Sequence, residues 1–224
     1  MARPPRIAVG NMVYHVCNRG NSRMRIFNTS EDYQAFEKII AQAKEKHPVR
    51  ILAYCLMPNH WHFVLWPEED GVLIDFVQWL ANTHSHRWQA FRKVVGTGHL
   101  YQGRFRSFPV QSDEHFLTVC RYVERNALEA GLVKTADKWQ WSSVWQREHG
   151  SAEQRGLLNR WPMERPREWP ELLSKPQGES VLETLWVCEN RGRPFGDLEW
   201  TESTAKRLDL EATLRSVGRP RKRT

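Results

Sequence analysis

The chain has 224 residues, enough for one domain with a substantial core and a smaller appendage, but tight for two full domains. Charged residues make up 26% and hydrophobic residues 40%; no apolar run is long enough to span a bilayer, residues 1–11 lack the apolar core of a secretory leader, and no membrane association is expected. The formal charge of +7, with Arg215, Arg219, Arg221, Lys222 and Arg223 crowded near the C-terminus, fits either a polyanion partner or a solvated basic tail.

Met12 to Asn18 alternates as a first strand, with Val13, His15 and Cys17 on one face and Tyr14 and Val16 on the other. Arg19-Gly20-Asn21-Ser22 turns it, and Thr29 with Asp32 forms a capping box for a helix carrying Tyr33, Phe36, Ile40 and Ala43. That helix ends near His47-Pro48. A second strand over 49–56 and a third running to Trp66-Pro67 are joined so closely at Pro58-Asn59 that they predict an antiparallel hairpin.

The third strand opens with Pro58-Asn59-His60-Trp61-His62-Phe63. Alternation puts His60 and His62 on one face and Trp61 and Phe63 on the other, so two imidazoles stand ready to supply part of a divalent coordination shell. Two half-buried strand histidines are the plainer reading. His84-Ser85-His86 falls in a predicted helix, where residues two apart point to nearly opposite sides and cannot share an ion.

Leu73, Phe76, Val77 and Leu80 place a second helix that runs to Arg92, and Gly96-Thr97-Gly98 breaks it. Leu100 to Val110 reads as a further strand or hairpin in which Arg104 and Arg106 share a face, an arrangement suited to a phosphate backbone or to a plain exposed edge. Ser112 or Asp113 caps a third helix ending at Gly131, with Phe116, Val119, Cys120, Val123 and Ala127 as its apolar stripe. Tyr122 and Asn126 sit one turn apart on the flank of that stripe, where a helix on a sheet can aim a phenol and an amide at the rim of a strand.

Beyond Trp139 to Ser143 the pattern weakens. Arg155 to Pro176 reads as a linker or loosely packed segment, and Val181 to Leu214 holds two short helices around Arg191-Gly192-Arg193-Pro194. The division that follows is 1–150 as one domain and 151–224 as a linker with a basic extension, partly helical or disordered. Cys17, Cys55, Cys120 and Cys188 show no C-x-x-C spacing, and a reduced cytoplasmic protein is expected.

Several stretches together resemble the single-tyrosine HUH transposases, in particular the branch associated with repetitive extragenic palindromes (REP) in bacterial genomes. They are His15 to Asn21, Ala53 to His62, Leu100 to Ser107, Tyr122 with Asn126, and Trp139 to Ser143, in family order over roughly residues 12–145. The resemblance implies an α+β fold, a ferredoxin-like antiparallel sheet with helices on one face, followed here by a basic C-terminal extension. It implies Tyr122 as nucleophile, with His60, His62 and Asn126 holding Mg²⁺ or Mn²⁺. Arg19, Arg104, Arg106, Arg219, Arg221, Lys222 and Arg223 are the candidate DNA contacts. The chain departs from the family pattern after Asn126, where Ala127-Leu128-Glu129 replaces the frequent Pro-Val-Arg. The implied activity is cleavage and rejoining of single-stranded or hairpin DNA through a 5′-phosphotyrosine, by a monomer or homodimer in the nucleoid-containing cytoplasm. A metal-dependent DNA hydrolase and a catalytically inactive hairpin-binding protein are the other two readings.

Overall fold

The computed structural model describes residues 8–215. Strand β1 (Val13–Arg19) leads into α1 (Ser30–Lys46), the hairpin β2 (Val49–Met57) and β3 (His60–Pro67), α2 (Val72–Arg92), β4 (Arg106–Val110) and α3 (Glu114–Glu129). The sheet order is β2-β3-β1-β4 and each pairing is antiparallel, the ferredoxin-like arrangement. The fourth strand is shorter than the expected 100–110 stretch. Arg106 opens it and Arg104 lies in the irregular segment before it, so the two do not share a strand face.

The hairpin tip is clamped from outside. Pro58 C=O accepts the amides of Ile26 (2.8 Å) and Phe27 (3.1 Å), and Asn59 C=O accepts that of Gly20 (2.8 Å). The start of α1 is fixed by Asp32, whose carboxylate takes the Asn28 and Thr29 amides at 2.7 and 3.2 Å and the Arg92 guanidinium at 2.6 Å. The expected capping box therefore also ties α1 to the end of α2.

Strict alternation sends β-strand side chains into two cores. Tyr14, Val16, Tyr54, Leu56, Trp61, Phe63 and Leu65 meet α1 and α2 on one face. Val13, Ala53, Cys55, Val64 and Phe108 meet Phe116, Val119, Cys120, Val123 and Ala127 of α3 on the other. Helices on one face therefore describes α1 and α2 alone. A helix's apolar stripe says that it packs on a sheet, not on which side.

The segment read as a linker is part of the structure. Helices α4 (Ser143–His149), α5 (Ala152–Gly156), α6 (Trp169–Ser174), α7 (Glu179–Arg191) and α8 (Leu198–Arg207) follow the third helix, and Trp169, Leu173, Leu185 and Cys188 belong to the α3-side core. The chain beyond α3 closes both sheet edges, with Asn159 and Phe195 coming from the segment read as a linker. Along β2, Leu56 N–H donates to Trp141 C=O (2.9 Å), Tyr54 N–H to Ser143 Oγ (3.0 Å) and Ile51 N–H to Asn159 Oδ1 (3.0 Å). Along β4, Gln111 and Phe195 exchange backbone bonds across Val110, at 3.0 Å from Gln111 N–H to Phe195 C=O and 2.9 Å from Phe195 N–H to Pro109 C=O. Open edge amides would otherwise invite pairing with other chains.

His84 is a core residue, 5% exposed. Trp61 Nε1–H donates to Tyr101 Oη (2.9 Å), so the Tyr101 hydroxyl proton goes to His84 Nδ1 (2.6 Å). Burial lowers the His84 pKa to about 3. The unfolded imidazole titrates near 6.5, so between about pH 6.5 and 3 the unfolded chain holds more protons and stability falls with pH, by roughly 1.4 kcal/mol per unit for this group. Guanidinium unfolding at pH 7 and pH 5 is expected to show a loss of which about 2 kcal/mol disappears in His84→Phe; an unchanged pH dependence in that variant would refute the assignment.

Candidate active site

The register of the three adjacent strands builds the site rung by rung. His60 pairs with Arg19; His62 pairs with Cys17, which pairs on its other side with Arg106; Val64, His15 and Phe108 form the next rung. Paired residues share a face, and rungs two residues apart share it again. His60, His62, Arg19, Cys17, His15 and Arg106 therefore all look toward α3.

His62 Nδ1 lies 2.9 Å from His15 Nε2, and the two rings are 5.1 Å apart. The Tyr122 ring meets both edge-on, 5.6 Å from His62 and 5.9 Å from His15. Its neighbour one turn on, Asn126, donates Nδ2 to the Tyr122 carbonyl at 3.0 Å, which leaves Oδ1 for another partner, and the amide lies beside His60. The four candidates His60, His62, Tyr122 and Asn126 thus converge.

Burial sets their protonation. It lowers His15 to about 3 and His60 to about 4, the latter helped by Arg19, and it drives His62 well down with help from the flanking imidazoles. All three are neutral at pH 7 and carry a lone pair for a metal. Asn59 Oδ1, an acceptor, lies 2.6 Å from His60 Nδ1, which fixes the proton there and leaves Nε2 to ligate. Burial first, then Glu189, raises the Tyr122 phenol, so it enters any reaction protonated.

Glu189 is the unanticipated member. It comes from the last turn of α7, which stops at Gly192 in the left-handed conformation (φ 73°) that glycine adopts without strain. Its carboxylate pairs with Arg106 at 3.7 Å, and Arg106 also donates to Asn190 Oδ1. Burial raises its pKa, opposed by hydrogen bonding from Cys17, by Arg106 and Arg19, and by Tyr122. His15, Cys17, His62 and Glu189 each present a ligand atom within 4.8 Å of the others. Alternation had placed His15 and Cys17 on one face; only the pairing of β1 with β3 brings them to the histidine pair.

A cleft of about 430 Å³ opens onto this group, with Arg19, Arg104, Arg106 and Gln102 on its walls. The remaining basic candidates, Arg219, Arg221, Lys222 and Arg223, lie outside the described residues. Among the described residues no helix is long and apolar enough to cross a membrane.

A ferredoxin-like sheet that sets a strand-borne His-x-His pair against a helical tyrosine is the frame of HUH-type tyrosine enzymes, which cleave and rejoin DNA. The family described as "Transposase IS200 like" matches residues 8–126, and the chain belongs to it. The chain is 26% identical over 140 residues to the REP-associated tyrosine transposase of Escherichia coli (strain K12), covering 60% of this chain and 76% of that one. A solved REP-associated tyrosine transposase bound to a REP hairpin shares the fold with a TM-score of 0.50 at 18% identity, over 69% of this chain and 90% of that one.

Proposed function

We propose that this protein cuts and rejoins single-stranded DNA at REP-like hairpins through a 5′-phosphotyrosine on Tyr122. The observation that carries the reading is the Tyr122 ring seated edge-on against His62 of its own chain, one helical turn from Asn126. One chain brings nucleophile and histidines together, so a monomer suffices.

The donor set suits Mg²⁺ or Mn²⁺: neutral imidazoles at His60 and His62, the former with its tautomer fixed, and an amide oxygen at Asn126. A divalent ion held there would stabilise negative charge on the scissile phosphate oxygens. Tyr122 loses its phenolic proton and its oxygen attacks phosphorus. The P–O3′ bond breaks, the 3′-oxygen leaves as a hydroxyl after taking a proton, and the 5′-phosphate stays on the tyrosine. Attack by another strand's 3′-hydroxyl reverses the step and restores the phenol. The exchange conserves one phosphodiester, and the sequence contains no Gly-x-x-x-x-Gly-Lys-Ser/Thr loop for a nucleotide. The work belongs to the nucleoid in the cytoplasm.

Arg19 and Arg104 on the cleft walls supply the charge for a phosphate backbone. Arg104→Ala is expected to weaken hairpin binding on every sequence alike and to lower the slope of log affinity against log salt by about 1. A loss confined to one hairpin sequence would instead assign Arg104 to base reading.

The deciding experiment offers several DNA hairpins, labelled 3′ of the expected cut, to wild type and His60→Ala with Mn²⁺, and resolves the products on a denaturing gel. A protein–DNA band that needs both His60 and the ion is expected. Cleavage without a covalent band would assign a metal-dependent hydrolase, and binding without cleavage an inactive hairpin-binding module.

A further inference from the structure

The geometry points to a second metal site, for a soft divalent ion such as Zn²⁺, formed by His15, Cys17, His62 and Glu189 and sharing only His62 with the proposed catalytic set. The four ligand atoms already lie within 4.8 Å of one another, and the two imidazole nitrogens stand 2.9 Å apart. Tetrahedral zinc with bonds of about 2.0–2.3 Å needs ligands roughly 3.3–3.8 Å apart, so adjustments of about an ångström close the shell. Three of the ligands stand on paired strands, and the fourth is on a helix end that Gly192 terminates.

The chemistry selects the ion. His60, His62 and Asn126 offer two nitrogens and an amide oxygen, whereas this group adds a thiol, and thiolate prefers Zn²⁺ or Co²⁺ over Mg²⁺ or Mn²⁺. Cys17 now hydrogen-bonds to Glu189 as a neutral thiol. Binding would break that S–H bond, release one proton to solvent and leave a thiolate and a carboxylate to balance the ion's two charges. Such balance matters here because Arg19 and Arg106 flank the group and would repel an uncompensated cation.

The placement has a consequence that rests on the proposed strand transfer. An ion in this shell takes His62 from the pair with His60, and through Glu189 it fastens α7 beside Tyr122. Zinc at this site therefore inhibits cleavage.

The test begins without DNA. Co²⁺ added to the reduced full-length protein is expected to give a thiolate-to-cobalt band in the near ultraviolet and the intense visible bands of a tetrahedral ion, at one equivalent. His60→Ala should retain both, since His60 lies outside the shell. Cys17→Ser should lose the near-ultraviolet band, and Glu189→Gln, a milder change, should weaken Zn²⁺ binding at least about tenfold while circular dichroism stays that of wild type. Absence of the thiolate band in wild type, or its survival in Cys17→Ser, overturns the site. Zn²⁺ titrated into a Mn²⁺-supported cleavage reaction should inhibit wild type, and Glu189→Gln should need at least about ten times more for equal inhibition of its own rate. Equal sensitivity of the two overturns the inhibitory role. A protein that binds Co²⁺ as described and cuts no hairpin refutes strand transfer and leaves the metal site standing.

Discussion

Tyr122→Phe is expected to abolish covalent capture of DNA and to lower hairpin cleavage by at least about a thousandfold, with hairpin affinity held within about twofold of wild type. The affinity arm follows from the packing. Phenylalanine keeps the ring edges against His15 and His62 and the Asn126 bond to the backbone carbonyl of residue 122. What goes is the oxygen that attacks phosphorus, with its hydrogen bonds to Asn126 and Glu189 inside the protein. Residual cleavage near the wild-type rate would mean that a histidine-bound water does the chemistry, and the phenol would be a packing residue. A drop in affinity equal to the drop in rate would mean that the hydroxyl holds substrate instead of attacking it.

The second large effect is on folding. Trp169→Ala is expected to cost about 3–5 kcal/mol in urea unfolding. The indole is buried under α3 in the core shared with Phe116 and Val123, and its Nε1–H reaches Glu124 Oε2 at 2.7 Å. Glu124 is fully buried, and Ser143 Oγ donates to its other oxygen at 2.6 Å. Truncating the indole opens a cavity and leaves a buried carboxylate oxygen short of a partner. The same reasoning extends to the chain as a whole: a fragment ending at residue 150 is expected to unfold with a broader transition and a lower midpoint, because the β4 edge, the Ile51 end of the β2 edge and parts of both cores lie open. A fragment as stable and cooperative as the full chain would restore the view that residues 151–224 are an appendage.

What could be read from the sequence was local. The alternation of His15 and Cys17, the hairpin at Pro58-Asn59, the stripe of α3 with Tyr122 and Asn126 on its flank, and α2 running to Arg92 each depend on neighbours within a few residues, and all appear as expected. The segment 155–176 hid its role because its buried residues do not recur at a helical or strand period. Trp169 is buried and Trp161 half-buried, the two rings packed edge-on against each other, and their ring nitrogens bond Glu124 and the Leu52 carbonyl. A pair of isolated indoles in a polar stretch resembles loop residues in any periodic analysis. Glu189 was out of reach for a different reason. Its significance arises from a helix folded back onto Arg106 and, much farther away in the sequence, onto Cys17, and nothing in Val187-Cys188-Glu189-Asn190 marks it.

The clamped tip of the β2–β3 hairpin constrains how this protein can vary. Side chains change face at every residue, so a single insertion between Met57 and His60 that kept the strand's pairing would turn both histidines into the space of Trp61 and Phe63 and bring those rings out toward Tyr122. A longer loop would also pull the Pro58 and Asn59 carbonyls away from the amides of Gly20, Ile26 and Phe27. Length at this position is inherited as all or nothing. Drift among descendants of this gene should therefore collect in the exposed turn over 93–99, which bears on neither register nor histidines, while the Pro-Asn step keeps its two-residue length.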